Sequence, residues 1–402
     1  MKSSILILLV FILSIASYAQ EYNIKIYGKV IDKLTQQPLP GANILVINTN
    51  NGASTDVNGK FEIDKLSPGE YQLRASIIGY RSITKVDVMV MSGYTAEVIF
   101  ELEEEVIELE DIVVKSDYFE TSRLDVVSTR GFNNEEIRRS PGGFEDVIRA
   151  LSVFPGVAQA DAGRNDLIVR GGAPSENLYL IDGYKVQNIN HFGSQVAAGG
   201  PLSYINLDFV SGTTFSTGGF SVINGDKLSS TLSIDLRSGR KDRLGGKATI
   251  SASQFGLNVE GPISNSSQFI FSVRRSYLDF IFKAADFSFV PEYWDIMGKA
   301  DFEIDESNSL SILVISAIDN INYFNDTEDQ RYDNSRIIGS EQLQYLAGLK
   351  YRHLIDNGFI NLSLTRNYVD YDTQQRDSLL VPLFINKSTV RSYNIRTSLG
   401  VP

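Results

Sequence analysis

Residues 165–183, NDLIVRGGAPSENLYLIDG, set two short β-prone runs, LIVR and NLYLID, around a Gly-Gly-Ala-Pro break. Each run ends in a charged residue beside glycine: Arg170 before Gly171, and Asp182 before Gly183. Short apolar runs bounded by glycine and proline read as strands, and this pair reads as a strand hairpin. A hairpin in an ordinary surface sheet does not need charged ends among so much glycine. The reason has to come from what surrounds the hairpin.

The 402 residues leave room for two or three domains. The net charge of −12 argues against nucleic acid, which calls for lysine and arginine patches. Aromatic residues, with 19 Tyr and 22 Phe, and plentiful glycine give a β-rich composition. There is no cysteine, so disulfides play no part. His191 and His353 are the only histidines, and no HExxH, CxxC or paired-histidine spacing occurs. Neither a metal site nor a cofactor is expected. The N-terminus, MKSSILILLVFILSIASYAQ, has Lys2, an apolar core and then Ser17-Tyr18-Ala19. Residues 1–19 read as a secretory signal peptide, the alternative being a membrane anchor. No later apolar run is long enough for a spanning helix, so any membrane span must be a β-barrel.

Residues 22–103 carry six or seven short strands separated by turn signals such as QQPLPG, NTNNG, DVNG and SPGE, the pattern of a small β-sandwich. GKVIDKLTQQPLPGANILV followed by STDVNGKFEIDKLSPGEYQLRASIIGY resembles the carboxypeptidase-regulatory-like (transthyretin-like) domain. The resemblance implies turns at Pro40-Gly41 and Asn58-Gly59, with Tyr71 and Leu73 facing the core. It does not imply a peptidase, since no zinc motif is present. Residues 56–59, DVNG, echo a calcium loop, but the full spacing and final glutamate are missing, and they read as a hairpin turn.

Residues 104–116 form an acidic linker that runs into a short β-prone segment, LEDIVVKS. A strand after a repelling, extended linker is one free to add to a sheet edge. The segment, with Glu110, Asp111, Ile112, Val113 and Val114, resembles the TonB box of Bacteroidetes-type outer-membrane receptors, although an ordinary linker strand reads the same way. Residues 117–240 contain GGFEDVIRALSVFPGV, GRNDLIVRGGAPSENLYLIDGYKV and SYINLDFVSGTTFSTGGFSVINGDKLSSTLSIDLRSG, and resemble a TonB-dependent receptor plug domain. FEDVIRAL is helical, with Phe144, Val147, Ile148 and Leu151 on one face, and Pro155-Gly156 ends it. In this family the opening stretch is the plug's central hairpin. A plug sits in a polar lumen, so Arg170 and Asp182 become candidates for plug–wall contacts, and the glycines let backbone pass close to the wall. The alternative is that the two residues cap strands at an exposed edge.

Residues 244–402 alternate apolar and polar side chains. In WDIMGKADFEI, Trp294, Ile296, Gly298, Ala300, Phe302 and Ile304 face one way, and Asp295, Met297, Lys299, Asp301 and Glu303 the other. FINLSLT and RSYNIRTSLGV alternate likewise. A soluble half-buried sheet also alternates. Short turns (SNSS, DESNS, IDNG) that alternate with long polar stretches near 283–292, 320–341 and 372–387 point instead to an outer-membrane barrel. With GGKATISASQFGLNVEGPI read as a tight hairpin turning at residues 251–254, about eight strands are expected. That is fewer than a receptor of this family closes with, so a fragment is expected. The fold class is mainly β: signal peptide, small β-sandwich, α+β plug domain, and the N-terminal part of a transmembrane antiparallel β-barrel.

The resemblance implies an outer-membrane receptor that imports a ligand by energy-coupled plug remodelling, with the sandwich in the periplasm. It implies TonB and the ExbB–ExbD motor as partners, and a small-molecule, glycan or peptide cargo. A SusD-like lipoprotein partner stays open, because the box runs into KSDYF and not a GYG-type ending. The plug apices suggest ligand-binding residues Arg164 in QADAGRND, and Asn188, His191 and Phe192 in VQNINHFGSQ, the alternative being a packing anchor or plain apex loop. A rival reading is a surface binding or adhesion protein that uses the barrel only as an anchor. An enzyme would need a convergent acid–base or nucleophile set, and none is visible.

Overall fold

The computed structural model describes residues 24–90, 96–105, 129–140, 146–159, 164–195, 199–220, 224–225, 227–251, 254–277, 282 and 287–401. Residues 1–19, read from sequence as a signal peptide, together with Phe144 and the TonB-box-like residues 110–114, lie outside the described residues. The chain forms two compact units, one of Met1–Asp32 and Pro38–Val106, the other of Lys33–Gln37 and Ile107–Pro402.

In the first unit the central strand Ile24–Asp32 pairs antiparallel with Lys60–Leu66 and parallel with Ala96–Leu102. A second, antiparallel sheet runs in the order Gly52–Ser54, Asn43–Val46, Gly69–Ser76, Ile83–Val90. Alternation decides which face is buried. Lys60–Leu66 turns Phe61, Ile63 and Leu66 inward, and Asn43–Val46 turns in Ile44 and Val46. Both sheets contribute to one core, with Ile26, Val30, Ile44, Leu73, Phe100 and Leu102 fully buried, as in a β-sandwich. Leu73 lies in this core, and Tyr71 packs at its margin. Gly41 and Gly59 both take positive φ, at 76° and 69°. Asp56 Oδ1 accepts hydrogen bonds from the Asn58 and Lys60 amides at 2.9 and 2.8 Å, so its carboxylate closes the turn.

The second unit begins with a mixed five-stranded sheet, ordered Tyr184–Val186, Asn177–Ile181, Ser230–Leu236, Val210–Ser216, Thr129–Phe132. Only Asn177–Ile181 and Ser230–Leu236 run parallel. Two short helices pack on it. Asn134–Arg139 starts with a capping box between Asn133 and Glu136. Val147–Leu151 starts at Asp146, whose Oδ1 accepts from the Ile148 and Arg149 amides. Val147, Ile148 and Leu151 are buried, as the helical spacing requires.

The opening stretch is not one hairpin. Leu167–Val169 pairs with Val157–Gln159, while Asn177–Ile181 pairs with Tyr184–Val186 and Ser230–Leu236. The charged residue and glycine at the end of each run are the reason. Arg170 and Gly171 have φ of 51° and 82°, Asp182 and Gly183 49° and 81°. Two successive positive φ values make the two-residue turn that matches strand twist. Each run therefore reverses at its own pair: Gly172 N–H donates to the Val169 carbonyl at 3.0 Å, and Asp182-Gly183 joins the tight hairpin of Asn177–Ile181 and Tyr184–Val186.

The remaining chain is an eight-stranded antiparallel meander: Gly245–Ile250, Gln254–Ser264, Ser267–Ser276, Phe289–Glu303, Asn308–Tyr323, Gly339–Ile355, Gly358–Arg376 and Pro382–Gly400. The first two strands form the expected hairpin, with Gly245 opposite Glu260 and Ile250 opposite Phe255. The sheet is not closed; Gly245–Ile250 and Pro382–Gly400 are its edges. One expected loop is strand. Residues 372–387 continue the ladder on both sides of a short turn, with Asp372 opposite Lys387 and their side chains 2.8 Å apart. Facing opposite charges support strand pairing, so polarity alone misread this segment. The 323–339 connection carries a helix, Glu328–Ser335, capped by Thr327.

This sheet is amphipathic in the reverse of the usual sense. Trp294, Ile296, Ile312, Val314, Leu362 and Leu364 are exposed, while Asp295, Lys299, Asp319, Gln342, Gln344 and Asn367 are buried under the plug. A smaller apolar patch, including Met297, Leu313 and Ile315, joins the plug core of Ile181, Ile205 and Phe209. Among the described residues no helix is long and apolar enough to cross a membrane, which says nothing of crossing by strands.

Candidate functional site

The site is the interface between the plug and the inner face of this wall, and it is largely ionic. Its deepest part is built by the loop after Tyr184–Val186. Asn188 folds the loop on itself: its Oδ1 accepts from the Asn190 amide at 3.0 Å, and its Nδ2 donates to the Asn190 carbonyl at 2.9 Å. Asn190–His191 then pairs with Leu202–Ser203. This fixes His191, fully buried, against two wall aspartates. Nδ1 lies 2.6 Å from Asp319 Oδ1, and Nε2 lies 3.3 Å from Asp295 Oδ2. The Phe192 amide, at φ 52°, donates to Asp319 Oδ2 at 2.8 Å. Arg274 Nε donates to Asp295 Oδ1 at 2.7 Å, and the Tyr293 ring lies 4.2 Å from the imidazole.

Burial by itself would lower the pKa of His191. The charge of Asp319 and the hydrogen bonds to both carboxylates outweigh it, and the pKa is pushed up to about 9. The imidazolium is therefore the resident form at neutral pH. It completes a quartet with Arg274, Asp295 and Asp319 in which two positive and two negative charges are enclosed together.

Asp182 is the second contact. Its Oδ1 accepts from the Leu236 amide at 2.7 Å, its Oδ2 lies 2.9 Å from wall Lys299 Nζ, and its carbonyl accepts from wall Lys350. Lys299 also donates to the Leu236 carbonyl at 2.9 Å. Next to it Gly348 leaves room for the plug's Tyr184: a Cβ there would meet three ring atoms at 2.7 to 2.9 Å. Asp208 is the third contact. It accepts from wall Lys247 at 2.8 and 2.9 Å, from wall Asn258 at 2.7 Å and from Arg138 of the plug. Burial raises its pKa, but the Lys247 and Arg138 charges prevail and hold it below the usual carboxylate range. Arg237, as the chain leaves the plug, grips wall Glu260 through two parallel bonds of 2.5 and 3.0 Å. Backbone carbonyls of the plug are taken by wall amides: Asn190 by Gln344, Lys185 by Asn367, Gly193 by Gln342.

The candidates named from sequence are thus distributed as follows. Asp182 meets the wall. Arg170 does not: it is exposed, and its guanidinium lies beside Gly218 of the plug itself, 3.2 Å from where a Cβ would stand. Asn188 and His191 do not present an open ligand surface, because the wall carboxylates and the loop's own amides take their polar atoms. Phe192 is half-buried beside them, and Arg164 pairs with Asp166 of the plug at 2.6 Å. The four do not converge on one pocket. Sequence reading missed Asp319, Arg274, Gln342, Gln344 and Asp208 as contacts. For the wall residues the available signal was strand parity, which puts each on the face opposite the apolar row.

Residues 26–114 match the family described as CarboxypepD_reg-like domain, and residues 123–230 match the TonB-dependent Receptor Plug Domain. The chain is 30% identical over 164 residues to TonB-dependent receptor P39 of Formosa agariphila, covering 38% of this chain and 15% of that protein. It is 29% identical over 245 residues to the TonB-dependent transporter Oar of Myxococcus xanthus, covering 56% of this chain and 21% of that one. The chain thus matches about a fifth or less of the length of these curated relatives. A crystal structure of the ferric enterobactin receptor PfeA of Pseudomonas aeruginosa has a similar fold, with a TM-score of 0.51 and 13% identity over 69% of this chain and 46% of that one. These matches give the chain a CarboxypepD_reg-like domain and a TonB-dependent receptor plug domain, and both curated relatives are TonB-dependent proteins.

Proposed function

We propose that the chain acts in an outer-membrane receptor that imports a ligand by TonB-driven remodelling of the plug, with the sandwich in the periplasm. The observation that carries this reading is the chemistry of the plug–wall interface. Around the apolar patch of Met297, Leu313 and Ile315 the interface is polar. Here the wall's buried polar row meets charged and amide groups of the plug, and such groups exchange partners for lumen water when the surfaces part. The exposed apolar row on the other face suits a lipid surround. In this reading residues 110–114 add as a strand to a sheet edge of TonB, which the ExbB–ExbD motor drives. The cargo is a small molecule, glycan or peptide. A SusD-like lid is not part of the proposal.

The test is binding of the purified periplasmic domain of TonB to the chain with and without residues 110–114. Loss of binding on deletion supports coupling. Unchanged binding removes the coupling role of this segment and favours the rival reading of a surface binding or adhesion protein anchored by the wall.

A further inference from the structure

Among the described residues, the outward face of the last three wall strands carries two arginines, Arg366 and Arg391, that form no ion pair. On Gly358–Arg376 the outward residues run Ile360, Leu362, Leu364, Arg366, Tyr368, Asp370 and Asp372. On Pro382–Gly400 they run, from the same end, Leu399, Thr397, Ile395, Tyr393, Arg391, Thr389 and Lys387. Both sequences pass from apolar through aromatic and arginine to ionic. That is the order of side chains from a bilayer core to its headgroups.

Within the middle zone the residues form a checkerboard, with Arg366 opposite Tyr393 and Tyr368 opposite Arg391. The Arg366 guanidinium lies 5.5 Å from the Tyr345 ring and 5.6 Å from the Tyr393 ring, and Arg391 lies 5.7 Å from Tyr368. Tyr345 and Tyr368 are stacked at 5.1 Å. Both arginines are exposed, and among the described residues neither pairs with a carboxylate, whereas Lys387 beyond them pairs with Asp372. Ring contacts satisfy the guanidinium faces but not their N–H edges. Planar edges held by rings are suited to the paired oxygens of a phosphate.

We infer that Arg366 and Arg391, framed by Tyr345, Tyr368 and Tyr393, form a binding site for the phosphate of a membrane-lipid headgroup. The inference rests on the outer-membrane reading above. A free anion would not account for the apolar row directly below, which receives acyl chains.

The test uses the full chain in detergent micelles, with bound lipid counted by native mass spectrometry. The probes are dioleoyl phosphatidic acid and zwitterionic dioleoyl phosphatidylcholine. The wild-type chain retains phosphatidic acid preferentially. Arg366→Gln/Arg391→Gln loses that preference by about thirtyfold, from roughly fivefold per arginine at an anionic surface. Arg366→Lys/Arg391→Lys keeps the charge but not the planar fork, so it keeps only the part of the preference owed to charge, which separates lost binding from lost folding. Equal retention of both lipids by wild type, or an unchanged preference in the glutamine variant, overturns the site. Displacement of phosphatidic acid by millimolar inorganic phosphate overturns the lipid assignment in favour of a free anion. A chain that stays soluble without detergent and enters no micelle removes the membrane reading itself, and the site with it.

Discussion

His191→Gln removes the charge at the centre of the plug–wall quartet while retaining a side chain of similar reach. The folded-state pKa of about 9 lies above the ordinary 6.5, a gap equivalent to about 3 kcal/mol. Because the folded value is raised, this contribution is complete below pH 6.5. It is lost progressively as pH rises from there through 9. His191 is fully buried, so solvent screening does not reduce it. The variant leaves Asp319 without its cationic partner and Asp295 with Arg274 alone, a loss of about 3 to 5 kcal/mol at pH 6 for a broken buried pair. Hydrogen exchange of peptide 187–195, corrected for the intrinsic pH dependence of exchange, reads the free energy of local opening. Wild type should lose about 3 kcal/mol of protection between pH 6 and 9.5. The variant should start lower and stay flat across that window. The reasoning fails if wild-type protection is flat, or if the variant retains the alkaline loss.

The same interface yields further expectations. Gly348→Ala places a Cβ into the Tyr184 ring and should cost about 1 to 3 kcal/mol in a urea titration of the plug. Tyr184→Ala in that background should recover part of the loss, and a double-mutant cycle measures the coupling. Asp182→Ala leaves the Leu236 amide without its acceptor and removes the nearer carboxylate from Lys299, and should cost about 3 kcal/mol by thermal melting. Asp182→Asn keeps an acceptor and tolerates the left-handed backbone, so it should cost less than half as much. Leu73→Ala should cost the sandwich about 2 to 5 kcal/mol, read by hydrogen exchange within residues 24–105.

Elements whose physics is local were legible in the sequence. The sandwich strands, the Asp56 turn and the Val147–Leu151 helix follow from alternation, turn residues and 3.6-residue spacing. The inverted wall was legible for the same reason: parity assigns Asp295 and Lys299 to one face and Trp294 and Ile296 to the other whatever surrounds them. What parity does not say is which group meets which. His191 and Asp319 are 128 residues apart in sequence and meet only because the plug loop reaches the fifth wall strand. The charged ends of the opening stretch suggested contacts, yet Asp182 meets wall Lys299 while Arg170 lies beside Gly218 of the plug. Residues 372–387 failed in the opposite way: polar composition resembled a loop, whereas cross-strand charge pairing keeps it a strand.

The central claim is that this wall is turned inside out, with its polar face on the plug and its apolar face on lipid. The chain has no cysteine, so single labels can be placed without background. Ile296→Cys, Val314→Cys and Leu364→Cys point outward; Met297→Cys, Leu313→Cys and Thr365→Cys point to the plug. The measurement is quenching of a thiol-linked fluorophore by nitroxide lipids, with each variant reconstituted in bilayers. Strong quenching at the first three positions and little at the second three is the predicted result. Equal quenching of both sets, or none at the outward positions, would contradict the account.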